Sequence, residues 1–297
     1  MTVIPEGIPQ LLQALESEEY VADPAIATSL YLAQQLEKPL LIEGHAGVGK
    51  TEIAKVLARL LGTELIRLQC YEGLDASTAL YEWNYAKQLL HIRMQEKDGR
   101  SVKEAEAQIF GEAFLLKRPL LQAITWPGAA PVLLVDEIDR SDEEFEAFLL
   151  EVLSDFQVSV PEIGTIKAKR RPHVILTSNR SRELSDALRR RCLYLWIDFP
   201  SFAKELSIVR RKVPGASEAL AAQIVGVVQQ LRKGKLHKQP GVSETLDWAS
   251  ALVVLHAAHL EPKIVEETLG CILKDESDLR RVRGELEAGR LPLAGAL

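Results

Sequence analysis

Leu40-Leu41-Ile42-Glu43-Gly44-His45-Ala46-Gly47-Val48-Gly49-Lys50-Thr51 is the stretch from which the fold is read. Residues 38–43 are a short apolar run bounded by Pro39 and Gly44, which predicts a buried strand. Over residues 51–61 apolar side chains recur at the 3.6-residue period and stop at Gly62, which predicts a helix. Residues 64–68 predict a second strand. Strand, glycine loop, helix and strand make a βαβ unit with a right-handed crossover. The loop fits G-x-x-x-x-G-K-[ST] in full, directly after a strand and opening a helix, the context that motif requires. Its glycines reach backbone conformations closed to other residues, so successive N–H groups from Gly44, His45, Ala46, Gly47, Val48 and Gly49 can converge on phosphate oxygens. The helix N-terminus adds partial positive charge. Lys50 is then placed to meet the β- and γ-phosphates of a nucleoside triphosphate, and the Thr51 hydroxyl to ligate Mg²⁺.

Val132-Leu133-Leu134-Val135-Asp136-Glu137 supplies a second half to this chemistry. Apolar residues over 131–135 predict a central strand, with Asp136 emerging at the C-terminal edge, where open α/β sheets bind ligands. Asp136 is suited to hold Mg²⁺, and Glu137 to polarise an attacking water as general base. That pairing separates an ATPase from a P-loop kinase. Residues 173–178 predict a further buried strand ending at Asn179, whose amide can bond both a γ-phosphate and the lytic water. Arg189-Arg190-Arg191 follows a short helical segment. A cationic helix C-terminus accounts for one arginine. Three favour an arginine finger offered to a neighbouring subunit, an effect of about 10³–10⁵ in rate where it has been measured.

Outward from these motifs, residues 11–17, 24–36, 142–155 and 182–190 predict helices. Ser141 stands as N-cap of the third, with Glu144 completing a capping box. Residues 157–167 predict a small hairpin and 193–199 a last strand. Residues 95–111 are polar and read as exposed helix and loop. After Phe199-Pro200 only helical segments follow, at 203–212, 217–231, 243–259 and 262–273. The expected architecture is an α/β core, a P-loop αβα sandwich with a parallel sheet over residues 1–200. A smaller all-helical lid domain follows over residues 201–297.

The composition is that of a soluble globular protein: 297 residues, 47% hydrophobic and 26% charged, with a net charge of −6. That charge argues against a surface that grips nucleic acid throughout. Three scattered cysteines give neither a disulfide framework nor a zinc pattern. His256 and His259, in an apolar stretch, read as helix packing rather than metal ligands. No window approaches the ~20 apolar residues of a membrane span, and residues 1–10 lack the pattern of a signal peptide. The expected location is the cytoplasm.

Together the four motifs resemble the AAA+ superfamily, and within it the MoxR family, in particular its CoxD-type members tied to carbon-monoxide dehydrogenase maturation. The resemblance is carried by E-G-H-A-G-V-G-K-T (43–51), Y-E-G-L-D-A-S-T-A-L-Y-E-W-N-Y (71–85), L-L-V-D-E-I-D-R (133–140) and T-S-N-R-S-R-E-L-S-D-A-L-R-R-R-C-L-Y (177–194). It implies ATP and Mg²⁺ as cofactors, a ring homo-oligomer, commonly a hexamer, and a protein client. It also implies a von Willebrand factor A-domain partner. By it Lys50 and Thr51 are Walker A, Asp136 and Glu137 Walker B, and Asn179 sensor 1. Arg191 matches the finger position, with Arg190 able to share it, and Val21 lies where adenine is contacted. Many members carry an arginine at the start of the third lid helix. Here Pro240-Gly241-Val242-Ser243-Glu244-Thr245 holds none, so no sensor 2 residue is assigned. A competing class is a motor or loader acting on nucleic acid, suggested by Lys167-Ala168-Lys169-Arg170-Arg171 and the basic residues of 233–238. Net charge, 6% aromatics and the lack of a helix-turn-helix or zinc module weigh against it.

Overall fold

A computed structural model describes residues 5, 7–95, 110–291 and 293. The expectation for 95–111 falls almost wholly outside them. The chain divides into two compact units.

The first unit comprises Met1–Ala14, Asp23–Glu43 and Thr51–Trp196. Its centre is a five-stranded sheet in the order β2-β5-β8-β1-β9. These strands are β1 (Leu40–Gly44), β2 (Leu65–Gln69), β5 (Val132–Asp136), β8 (His173–Ser178) and β9 (Leu193–Ile197). β2, β5, β8 and β1 pair in parallel, with Gln69 beside Asp136 and Ile42 beside Thr177. β1 and β5 are buried at every position, as a parallel sheet covered on both faces demands. β2 lies at an edge and alternates: Ile66 and Leu68 turn inward, Arg67 and Gln69 outward. The helices expected over 11–17 and 24–36 are α1 (Ile8–Ser17) and α2 (Pro24–Gln35). The helix after the loop, α3 (Lys50–Leu61), buries Ile53, Ala54, Val56, Leu57 and Ala58.

Between β2 and β5 lie α4 (Ala76–Leu80), α5 (Tyr85–Gln95), α6 (Pro119–Ile124) and the small antiparallel pair β3 (Tyr81–Trp83) and β4 (Leu115–Lys117), which the sequence reading did not resolve. They and the short helical turn Glu112–Phe114 bring Trp83, Phe114, Leu120 and Leu121 into the core. The expected hairpin is present as β6 (Gln157–Val160) and β7 (Gly164–Lys167), with Gly164 at φ +96° in its turn.

Two boundaries differ from expectation. The helix α7 (Glu143–Asp155) is capped by Asp142, whose Oδ1 accepts the Phe145 N–H at 2.8 Å. Ser141 is not the cap: its hydroxyl donates to the Ile138 carbonyl instead. The helix expected over 182–190 is α8 (Asp186–Arg191), with Ser185 as cap. Residues 182–185 stay irregular because Arg182 donates to the Ser141 carbonyl and pairs with Glu146, while Glu146 also accepts the Ser185 N–H.

The second unit comprises Leu15–Ala22, Gly44–Lys50 and Ile197–Leu297. It holds α9 (Phe202–Lys212), α10 (Glu218–Lys233), α11 (Val242–Val254), α12 (Pro262–Ile272) and α13 (Glu276–Glu287). The last was not foreseen. It is largely charged, and its start is set by Asp275, which accepts the Ser277 and Asp278 N–H groups. α11 stops at Val254, short of the expected 259. His256 takes φ +54°, and His256 and His259 are exposed beyond the helix rather than packed within it. Trp248, Ile224, Val225, Leu252 and Leu269 form the core, each fully buried aliphatic contributing ~1.5–3 kcal/mol. Glu205, wholly buried, is held by Arg232 through two bonds of 2.6 and 2.7 Å and by Thr245 and Gln229. Losing one partner of such a pair costs about 3–5 kcal/mol. Among the described residues no helix is long and apolar enough to cross a membrane.

Candidate active site

The phosphate loop closes β1. A Cβ added to Gly44 would stand 2.1 Å from the Ile197 carbonyl oxygen, so only glycine fits. Gly47 and Gly49 take φ +74° and +92°, the left-handed region that favours glycine. Lys50 is buried, and its ammonium donates to the Gly44 and His45 carbonyls at 2.8 and 2.7 Å, which holds the loop wound around it. His45 stacks on Phe199 with ring centres 4.3 Å apart. Gly47 is met by the start of α11: its carbonyl accepts the Ser243 N–H at 3.1 Å. His45, Ala46 and Gly49 are exposed, while Val48 and Val21 are half-buried in the same unit.

In the first unit the acids gather at the C-terminal ends of β5 and β8. Asp136 is 3% exposed. Its Oδ1 accepts the hydroxyls of Thr51, at 3.1 Å, and of Thr177, while its Oδ2 accepts Arg67 Nε at 3.0 Å and a second Arg67 nitrogen. Glu137 takes φ +55°, a conformation costing of order 1–3 kcal/mol in a residue with a side chain. That turn aims its carboxylate at Asn179, whose Nδ2 donates to Oε1 at 3.2 Å. Gln69 Nε2 and Arg140 Nε hold Oε2 at 3.1 and 3.0 Å. The Glu137 N–H donates to Thr177 Oγ1.

Asp139 braces this arrangement. It accepts the N–H groups of Asn179 and Ser181 and the Ser181 hydroxyl, tying the loop after β8 to the loop after β5. Burial alone would raise its pKa, but those hydrogen bonds outweigh burial and hold it below the ordinary value. Cys70, beneath the acids, is pushed up to about 12 by burial and then by the charges of Asp136, Asp139 and Glu137.

The three arginines part ways. Arg189 lies over the Tyr194 ring. Arg191 donates to the Leu150 carbonyl at 2.8 Å and to Ser154, which fastens it to α7 of its own chain. Arg190 is exposed and has no partner among the described residues.

The donor set at the strand ends of the first unit suits a divalent cation. Asp136 and Thr51 bring two hard oxygens together at a buried strand end, the donor type that suits Mg²⁺. A Cβ at Gly49 would meet nothing within 4 Å, so its positive φ and not crowding is what favours glycine there. Of the residues expected from sequence, Thr51 bonds Asp136 and Asn179 bonds Glu137, while Lys50 bonds the loop carbonyls. Sequence reading missed Arg67, Gln69, Thr177, Arg140 and the bracing role of Asp139. Two same-face polar residues on β2, Arg67 and Gln69, were the available signal.

Residues 39–192 match the family described as AAA domain (dynein-related subfamily). An uncharacterized protein of Staphylococcus haemolyticus is 23% identical over 286 residues, covering 93% of this chain and 97% of its own length. One from Staphylococcus epidermidis is 23% identical over 263 residues, covering 85% and 91%. Two solved mutants of RuvB from Thermotoga maritima share the fold at TM-scores of 0.52. They are 19% and 18% identical, covering 92% and 97% of this chain and 79% and 81% of theirs. A P-loop α/β core with these matches has one assignment: the chain belongs to the AAA domain family, dynein-related subfamily, whose members carry ATPase-type nucleotide sites.

Proposed function

We propose that this chain hydrolyses ATP with Mg²⁺ and uses the cycle to remodel or mature a protein complex. The observation that carries the first half is Glu137 held by Asn179 beside the Asp136–Thr51 pair at the ends of the central strands. Lys50 and the glycine N–H groups bind and orient the phosphates. Thr51 and Asp136 would hold Mg²⁺, which supplies charge neutralisation at the phosphates when bound. Glu137 accepts the proton of the attacking water, and Asn179 fixes the direction of that carboxylate. Glu137→Gln is expected to retain ATP binding and lower turnover at least 100-fold, measured as phosphate release beside a fluorescent-nucleotide titration. Turnover at the wild-type rate would remove Glu137 from the role.

The second half rests on the MoxR resemblance, whose CoxD-type part is carried largely by residues 71–85, and on the acidic net charge. The reading is a ring, commonly of six, working on a protein client beside a von Willebrand factor A-domain partner. Arg190 is the arginine best placed to act across subunits, because Arg191 is tied to its own α7. Mixing Arg190→Ala chains with Lys50→Ala chains is expected to recover part of the hydrolysis that each lacks alone. No recovery in mixed rings of verified size would exclude a finger acting in trans. Phosphate release should rise with a protein partner and stay flat with DNA. Stimulation by DNA at physiological salt, lost when Lys169, Arg170 and Arg171 are neutralised, would transfer the reading to a nucleic-acid motor.

A further inference from the structure

β2 is an edge strand, and its two outward side chains reach the two acids of the site: Arg67 bonds Asp136 and Gln69 bonds Glu137. The two also bond each other, through an Arg67 nitrogen donating to Gln69 Oε1. Arg67 opposes Leu134 in the register, two positions before the pair Gln69 and Asp136, so its guanidinium runs along the strand to the carboxylate. The ends of this ion pair differ sharply in environment. The Asp136 side chain is 4% exposed, whereas that of Arg67 is 51% exposed.

A buried carboxylate needs a countercharge. The Thr51 and Thr177 hydroxyls on Oδ1 are neutral and supply none. Arg67, on Oδ2, supplies it. A divalent cation held by the same carboxylate would compete with a second positive charge there. The guanidinium can leave easily, since half of it already lies in water and its other anchor, Gln69, is exposed as well.

We propose that Arg67 is a place-holding cation on Asp136, compensating the buried carboxylate until Mg²⁺ displaces it and thereby setting the cation concentration the site requires. The proposal rests on reading Asp136 and Thr51 as the metal-binding pair. An arginine suits the role because its planar fork of donors matches a carboxylate. Occupancy by Arg67 lowers apparent metal affinity by the fraction of time it blocks the carboxylate. Its removal therefore has two opposite effects: the metal-free protein loses stability, and the metal binds more tightly.

The test titrates Mn²⁺ into the ADP-saturated full-length protein and reads free Mn²⁺ by electron paramagnetic resonance, beside melting temperatures with and without the cation. Arg67→Gln is expected to tighten Mn²⁺ binding about tenfold, to melt lower without metal, and to gain more from Mn²⁺ than the wild type does. Arg67→Lys keeps a charge but loses the Nε contact, so its affinity should fall between. It also serves if Arg67→Gln does not fold. Unchanged or weaker Mn²⁺ binding in folded variants overturns the proposal. Thr51→Val separates this failure from that of the underlying reading: if it leaves wild-type Mn²⁺ affinity intact, the metal pair itself is misassigned.

Discussion

Asp139 joins the loop after β5 to the loop after β8. Its carboxylate takes three hydrogen bonds from the Asn179–Ser181 turn, so the amide that aims Glu137 is itself held from the strand end that carries Glu137. A carboxylate whose folded pKa lies below its unfolded value, near 3.9, stabilises the fold above the unfolded value. That contribution fades as pH falls through the folded one. Asp139→Asn is therefore expected to cost about 1–3 kcal/mol at pH 7, with the gap to wild type closing below pH ~4. Urea unfolding at several pH values checks this. A gap constant down to pH ~3 would mean that Asp139 acts through shape and not charge. Lys50, Thr51 and Asp136 could be read from sequence because each sits in a contiguous motif whose spacing is fixed by one turn of chain. Asp139, Thr177 and Arg67 could not, because their partners lie 40 to 69 residues away on strands whose spatial order differs from their chain order.

At the scale of elements, the start of α11 is fitted to the phosphate loop by absent side chains. A Cβ on Gly241 would stand 2.6 Å from the Ala46 carbonyl and 2.8 Å from Gly47 Cα, both backbone atoms that cannot step aside. Gly241→Ala should therefore push the helix start from the loop, costing about 1–3 kcal/mol and weakening ATP binding. Gly226, inside α10 with nothing within 4 Å of its would-be Cβ, is the opposite case. Gly226→Ala should stabilise by about 0.5–1 kcal/mol through helix propensity and leave ATP binding unchanged. Denaturant midpoints and a nucleotide titration measure both. Helix existence was legible here from the apolar period, but helix ends were not. α11 lost its last five expected residues because the apolar run continues past the turn at His256, where φ changes sign. α13 was missed because its few buried positions, Asp278, Val282 and Leu286, are spread among charges.

Over the whole molecule, the break in grammar after Pro200 coincides with the passage from a mixed α/β unit to helices alone. What the sequence could not indicate is that Gly44–Lys50 groups with the helical unit, since that follows from backbone approach and not from any pattern of residue types. The buried thiol beneath the acids has a practical outcome in bioconjugation. Cys70 and Cys192, both pushed up to about 12 by burial, hold almost no thiolate at neutral pH, and the thiolate is the form that maleimides attack. Cys271, half-buried on α12, is left as the reactive position. The native chain should accept one dye, in the tryptic peptide containing Cys271, without any cysteine being engineered out. Modification of Cys70 before denaturation would instead show that the floor of the site opens to reagents, and mass spectrometry of the digest distinguishes the two.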